Sequence, residues 1–291
     1  MQQNKTKAVG FALACIVLWA FIPVVSKTGQ QSLDNYQFLF WSSLLSFLVL
    51  LGITLISKKG HWFTKYNFGQ IAKTLGLGFL GAYLYYLLLY FAYAHARGLE
   101  VLVLQYTWPL FIVLLSIPVL REKLTKMTIL SSLLGFTGVL IVLTKGNFTH
   151  VYLGNLTTDG LVLLGSLSFG LFSVLTKKVK LEYYTDTTLF FASATLFSLI
   201  SMLIFSRFSW PSYSTLLPLF VNGAFINGLS YVFWLKALRY AKASFVAPLV
   251  FITPVLAAVL ITIFFHEIFL PIYVLGICLV ISAGLLSQKN T

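Results

Sequence analysis

Ten runs of mostly apolar residues divide the chain, near 8–27, 36–56, 71–93, 100–119, 127–144, 160–177, 188–206, 215–235, 244–264 and 270–287. A helix of about 20 apolar residues spans the hydrocarbon core of a bilayer. The breaks between the runs are short, the longest being 58–69 and 145–159, so no separate soluble domain fits between them. Composition agrees: 9% of residues are charged, against roughly 25% in soluble domains. The expected fold class is therefore all-α integral membrane, with ten transmembrane helices. Lys5 and Lys7 before an apolar run could mimic a signal peptide. The run continues through Trp19 and Pro23 to Lys27 with no plausible cleavage site, which predicts a retained first span.

The formal charge of +13 would point to nucleic acid in a soluble protein. In a membrane protein it reflects loops facing an anionic leaflet, and nucleic acid is not an expected partner. With the N-terminus cytoplasmic, sixteen of the 20 Lys and Arg residues fall on that side. The far side receives only Lys27, Arg97, Lys145 and Arg207. The positive-inside rule then places both termini in the cytoplasm. Cys15 and Cys278 lie in apolar runs and do not indicate a disulfide framework.

The runs repeat. At an offset of 145, Pro109 falls on Pro254, Glu122 on Glu267, Gly78 on Gly223 and Tyr86 on Tyr231. At an offset of 150 the first run matches the sixth, Gly10 falling on Gly160 and Ser26-Lys27 on Thr176-Lys177. Matches at Leu or Val would mean little in such a sequence; Pro, Glu, Gly and Tyr in register carry weight. Residues 1–147 and 148–291 read as two five-helix repeats. Five is odd, so the second enters the membrane upside down: an inverted five-plus-five repeat, whose substrate site is expected near the midplane between halves.

These features resemble the drug/metabolite transporter superfamily with paired EamA domains. The resemblance rests on the ten spans, the repeat, the prolines of spans four and nine, and the ends Glu122-Lys123-Leu124 and Glu267-Ile268-Phe269. The second half departs from the family's Gly-Glu-x-Leu pattern at His266 and Phe269. Leu99-Glu100-Val101 followed by Tyr106-Thr107-Trp108-Pro109 is similar to the branch of bacterial aromatic amino acid exporters. The resemblance implies a carrier in a bacterial cytoplasmic membrane, and it alone supplies "export" and "amino acid".

Candidate substrate-binding residues are aromatic. Tyr83, Tyr86, Tyr90 and Tyr93 follow one helical face of span three; Tyr86 and Tyr90 are expected to face a cavity, the outer two an interfacial belt or the bundle. Asn227, Tyr231 and Trp234 share a face of span eight. Trp108 is opposite Thr253 in the repeat, and Trp19 is opposite Phe169. With Tyr106, these aromatic groups suit a flat, partly apolar metabolite, against ordinary core packing in a chain with 27 Phe. Pro109 and Pro254 are the expected hinges. Pro109 frees the carbonyl of Gln105, which must find another donor.

No carboxylate is expected at mid-membrane depth, so no coupling ion is assigned, and no metal or cofactor is expected. Enzyme motifs such as HExxH, GxSxG or a Walker loop are absent from the sequence, and the chain reads as no enzyme. A channel would need a repeated filter loop or charge ring, and neither is visible. The remaining alternative is import of a nucleoside-like or flavin-like metabolite. Small residues four apart (Ser131 and Gly135, Gly78 and Ala82, Ser166 and Gly170) mark helix seams, within a monomer or across a homodimer.

Overall fold

The computed structural model describes residues 4–57, 66–96, 98–150, 156–179, 182–265 and 270–288. Every regular element among them is helical. Nine stretches are long and apolar enough to cross a membrane. The first five are α1 (Lys5–Ser26), α2 (Asn35–Ile56), α3 (Phe68–Ala92), α4 (Val101–Leu120) and α5 (Lys126–Thr144). The second half supplies α6 (Leu156–Lys178), α7 (Tyr183–Phe205), α8 (Tyr213–Tyr240) and α9 (Ala243–Phe264), completed by the shorter α10 (Ile272–Leu286). These are the runs read from the sequence, arranged as the inverted five-plus-five repeat.

Two helices overrun the expected ends, each for a local reason. α7 starts at Tyr183 because the carboxylate in its first turn is satisfied: Asp186 accepts from Tyr66 Oη at 2.8 Å, Thr74 Oγ1 at 3.1 Å and Glu182 N at 2.6 Å. α8 runs on to Tyr240 because Lys236 lies along it, with its ammonium 5.2 Å from the Phe11 ring and 5.3 Å from that of Tyr184. Repeat mates are capped alike. Asp34 accepts from Gln37 N at 2.9 Å to start α2, and Glu182 accepts from Thr185 N at 3.1 Å to start α7.

The outer surface is apolar, with Leu48 and Leu55 on α2, Leu203 and Ile204 on α7, and Ile281 and Leu285 on α10 all exposed. Such a surface belongs in lipid. Inside, the small-residue seams are intramolecular. A Cβ on Gly78 would stand 2.5 Å from Phe190 Cα of α7, and one on Gly170 would stand 2.8 Å from Phe111 Cβ of α4.

The interruptions are symmetric too. α3 contains a π segment at Phe79–Leu84 and its mate α8 one at Val221–Leu229. α4 breaks at Tyr106–Thr107, between Gly98–Gln105 and Trp108–Leu120. Its mate α9 passes through a 3-10 stretch, Ala247–Phe251, before Ile252–Phe265. Irregular backbone at membrane depth persists only where protein or a wet cavity satisfies it.

Candidate functional site

The broken helices enclose a cavity of ≈ 370 Å³. Its walls come from α1 (Trp19, Ser26), α3 (Tyr85, Tyr86, Tyr90), α4 (Gln105, Tyr106, Trp108), α6 (Phe169) and α9 (Val250, Thr253), with Gln30 beyond the end of α1. On α1, α3 and α4 these residues occupy the half of each span farther from the chain termini, so the cavity lies on that side of the midplane. Trp19, Tyr86, Tyr90, Tyr106 and Trp108 are thus brought together as expected from the sequence.

Its floor, Trp19, Trp108 and Phe169, belongs to an aromatic cluster that continues behind it to Trp234. Trp19 and Trp108 meet edge to face at 5.7 Å, Phe169 lies 4.9 Å from Trp108 and 6.0 Å from Trp19, and Trp234 lies 5.6 Å from both indoles. Trp19 Nε1 donates to Ser230 Oγ at 2.8 Å and Trp234 Nε1 to Ser173 Oγ at 3.0 Å. With those N–H groups used within the protein, Trp19 offers the cavity its ring. Edge-to-face pairs of this kind add about 0.5–1.5 kcal/mol each beyond area burial.

Asn227, Tyr231 and Trp234, expected as substrate-binding residues on one face of α8, are placed differently. None of the three lines the cavity; they form a layer behind it. Tyr231 is fully buried and donates to the Gly81 carbonyl at 2.7 Å, and Asn227 Oδ1 accepts from Tyr86 Oη at 3.5 Å. The first half supplies most of the wall because the cavity lies to one side of the midplane. Tyr83 also departs from the tyrosine stripe: its hydroxyl meets Ser201 Oγ at 2.6 Å and its ring packs on Phe79 and Phe197. The π segment ending at Leu84 adds a residue to its turn, which turns Tyr83 toward α7 and brings Tyr85, unmarked by any 3.6-residue pattern, onto the wall.

The α4 break is satisfied from α6. Ser166 Oγ lies 3.0 Å from the Gln105 carbonyl and 3.3 Å from that of Leu104. The Gln105 amide donates to Tyr85 Oη at 2.8 Å. Two hydroxyls on the wall, Ser26 Oγ and Thr253 Oγ1, are buried with no hydrogen-bond partner. No acidic or basic side chain is among the described lining residues.

Toward the termini the bundle is closed. Glu122, after α4, accepts from Ala243 N at 2.8 Å and from Ser244 N at 3.0 Å and Oγ at 2.7 Å, at the start of α9. A carboxylate there meets the positive end of the helix dipole. Lys177 Nζ, 3.6 Å from Glu122 Oε1, also donates to the Ala241 carbonyl. Glu267, the repeat mate of Glu122, lies outside the described residues, as does His266.

A family model described as the EamA-like transporter family matches residues 6–144 and 156–287. The chain is 24% identical over 292 residues to an uncharacterized transporter of Clostridium kluyveri, covering 96% of this chain and 92% of that one. It is 24% identical over 249 residues to an uncharacterized transporter of Archaeoglobus fulgidus, covering 84% of each. A solved structure, described only as a crystal structure of a protein, superposes with a TM-score of 0.86 over 98% of both chains at 16% identity. That last likeness concerns the fold alone.

Proposed function

The chain belongs to the EamA-like transporter family, and from that premise we propose a secondary carrier that exports amino acids with aromatic or apolar side chains by alternating access. It is a multi-pass membrane protein of a transporter family, not an enzyme. The observation that supports the reading is the cavity itself: seven aromatic side chains around four hydroxyl- or amide-bearing ones, from Ser26, Gln30, Gln105 and Thr253, lying on one side of the midplane. Aromatic walls hold a flat side chain by stacking, and the polar groups fix its backbone end. With the termini cytoplasmic in a bacterial membrane, this conformation faces outward. Rocking the halves about Pro109 and Pro254, where α4 and α9 are already broken, would carry the cavity to the other face. The site lies within one chain, so a monomer and a homodimer serve equally.

Purified protein in liposomes tests this. Saturable uptake of labelled L-phenylalanine or L-tryptophan, accelerated by the unlabelled compound inside, is the expected result; ionic conductance without countertransport would make it a channel. A second reading, import of a nucleoside-like or flavin-like solute, draws on the absence of charged side chains from the described lining. Thermal-shift screening of amino acids against adenosine and riboflavin separates the two, since a specific ligand raises stability by RT ln(1 + [L]/Kd). Cysteine at Ser57 labelled from outside intact cells, or at Gly146 labelled only from inside, would reverse the proposed orientation.

A further inference from the structure

Two helices begin in the middle of this bundle. Trp108–Leu120 starts after the break at Tyr106–Thr107, and Ile252–Phe265 starts where the 3-10 stretch Ala247–Phe251 ends. The first N–H groups of Trp108–Leu120 have no acceptor within that helix and form the positive end of its dipole. Ile252 instead continues from the 3-10 stretch, with its N–H bonded to the Leu249 carbonyl. The two starts adjoin: Tyr106 and Leu110 pack in one cluster with Phe251 and Val255. The repeat mates Trp108 and Thr253 both line the cavity.

Helix ends alone would not make a site. Thr253 supplies a second observation, because it is 3% exposed and its Oγ1 has no partner. Many hydroxyls along these spans fold back on a carbonyl one turn earlier, as Thr28 on Val24, Thr144 on Leu140, Thr188 on Tyr184 and Thr262 on Ala258. Thr253 does not. Of the buried hydroxyls without a partner among the described residues, Ser26, Ser43, Thr185, Ser193 and Thr253, two line the cavity. Ser26, across the same cavity, is likewise without a partner, whereas its repeat mate Thr176 donates to Ser173 O at 2.9 Å. A buried hydroxyl left unpaired costs stability unless something in the cavity accepts from it.

We infer that the cavity contains a carboxylate subsite, between the start of Trp108–Leu120 and Thr253, with Thr253 Oγ1 donating to the bound oxygen. The inference rests on the amino-acid reading above and adds the group that recognises the backbone end of the substrate. Helix starts bind anions without help from Lys or Arg, which accounts for an amino-acid site with no charged wall. The substrate's aromatic ring then lies against Trp19 and Trp108, and its ammonium faces the rings of the tyrosine wall.

Reconstituted full-length protein tests this with L-tryptophan and tryptamine, which share the indole and differ by the carboxylate. Thr253→Val keeps the shape and removes the hydroxyl. Its preference for L-tryptophan over tryptamine is expected to fall about tenfold, the loss typical of one hydrogen bond to a charged group. Thr253→Ser restores the preference, and Thr262→Val, whose hydroxyl bonds within its own helix, leaves it unchanged. An unchanged preference in Thr253→Val, or an equal loss for both probes, overturns the subsite while leaving the amino-acid reading standing. Wild-type protein that binds adenosine or riboflavin but no amino acid overturns that reading itself, and the subsite with it.

Discussion

Tyr231 reaches from the second repeat into the first to donate its hydroxyl to the Gly81 carbonyl at 2.7 Å. Its repeat mate Tyr86 makes the reverse reach, to Asn227 Oδ1, at 3.5 Å. Both targets lie in π segments, Phe79–Leu84 and Val221–Leu229. A π turn disturbs the regular i to i−4 pairing, and a cross-repeat phenol steadies it. The repeat therefore answers a short phenol-to-backbone bond with a long phenol-to-side-chain one.

Tyr231→Phe is expected to lower stability by about 1–3 kcal/mol, the usual cost of stranding a buried acceptor. Tyr86→Phe removes a contact at the limit of hydrogen-bond length, and a shift well below that of Tyr231→Phe is expected. Thermal unfolding in detergent reads both. Equal shifts would show that the two bonds are equivalent in solution and that the asymmetry carries no weight.

Trp108 holds the floor, with Trp19, Phe169 and Trp234 all within 5.7 Å of its ring centroid. Trp108→Ala removes stacking of about 0.5–1.5 kcal/mol beyond area burial and is expected to raise the half-saturation concentration several-fold. Trp108→Phe keeps an aromatic floor and is expected to fall between. Unchanged half-saturation for every solute tested would make Trp108 a packing residue only.

Much of this was legible in the sequence, and the failures concern which face of a helix meets the cavity. Span number, inversion and the pairing of Pro109 with Pro254 follow from apolar runs and an offset, which survive local distortion. Trp19, Tyr86, Tyr90, Tyr106 and Trp108, picked out by helical face, repeat position or nearness to Pro109, all line the cavity. Face assignments survive less well. The reading of Tyr83 with Tyr86 assumed 3.6 residues per turn through the π segment of α3. Tyr231 and Trp234 do share a face of the regular stretch Ser230–Tyr240, but that face packs behind the cavity. Tyr85 and Thr253 then entered the wall with no periodic signal to mark them as binding groups. Paired glycines such as Gly78 and Gly223 mark the π segments only in retrospect, because the same residues also serve close helix packing.

Pro254 lies in the first turn of Ile252–Phe265, just after the 3-10 stretch. Pro254→Ala restores an N–H donor and favours a continuous α9. Turnover is expected to fall several-fold with a smaller change in half-saturation, since residues that let a helix bend act on the conformational step. Stopped-flow countertransport separates the two quantities. A variant with normal turnover and altered affinity would make Pro254 part of the binding wall and not a hinge.

Glu122 is the strongest tie on the closed face. Its carboxylate, in the first repeat, takes three hydrogen bonds from Ala243 and Ser244 at the start of α9 and faces Lys177 at the end of α6, both in the second. Opening the cavity toward the termini must part these groups. Glu122→Gln keeps the shape but gives up the charge, weakening bonds of the charged class by about 1.5–3 kcal/mol. That is at least about tenfold in the population of the opposite conformation. Native Cys15 offers a reporter, because it is fully buried one turn below Trp19 on the terminal side of the floor. In a Cys278→Ser background, which removes the exposed thiol, maleimide labelling of Cys15 is expected to quicken about tenfold on Glu122→Gln. A saturating concentration of transported substrate on the terminal side should alter that rate, because it binds the opened conformation. If Glu122→Gln labels at the wild-type rate while its melting temperature falls, the carboxylate is a structural cap for α9, and the gate lies elsewhere.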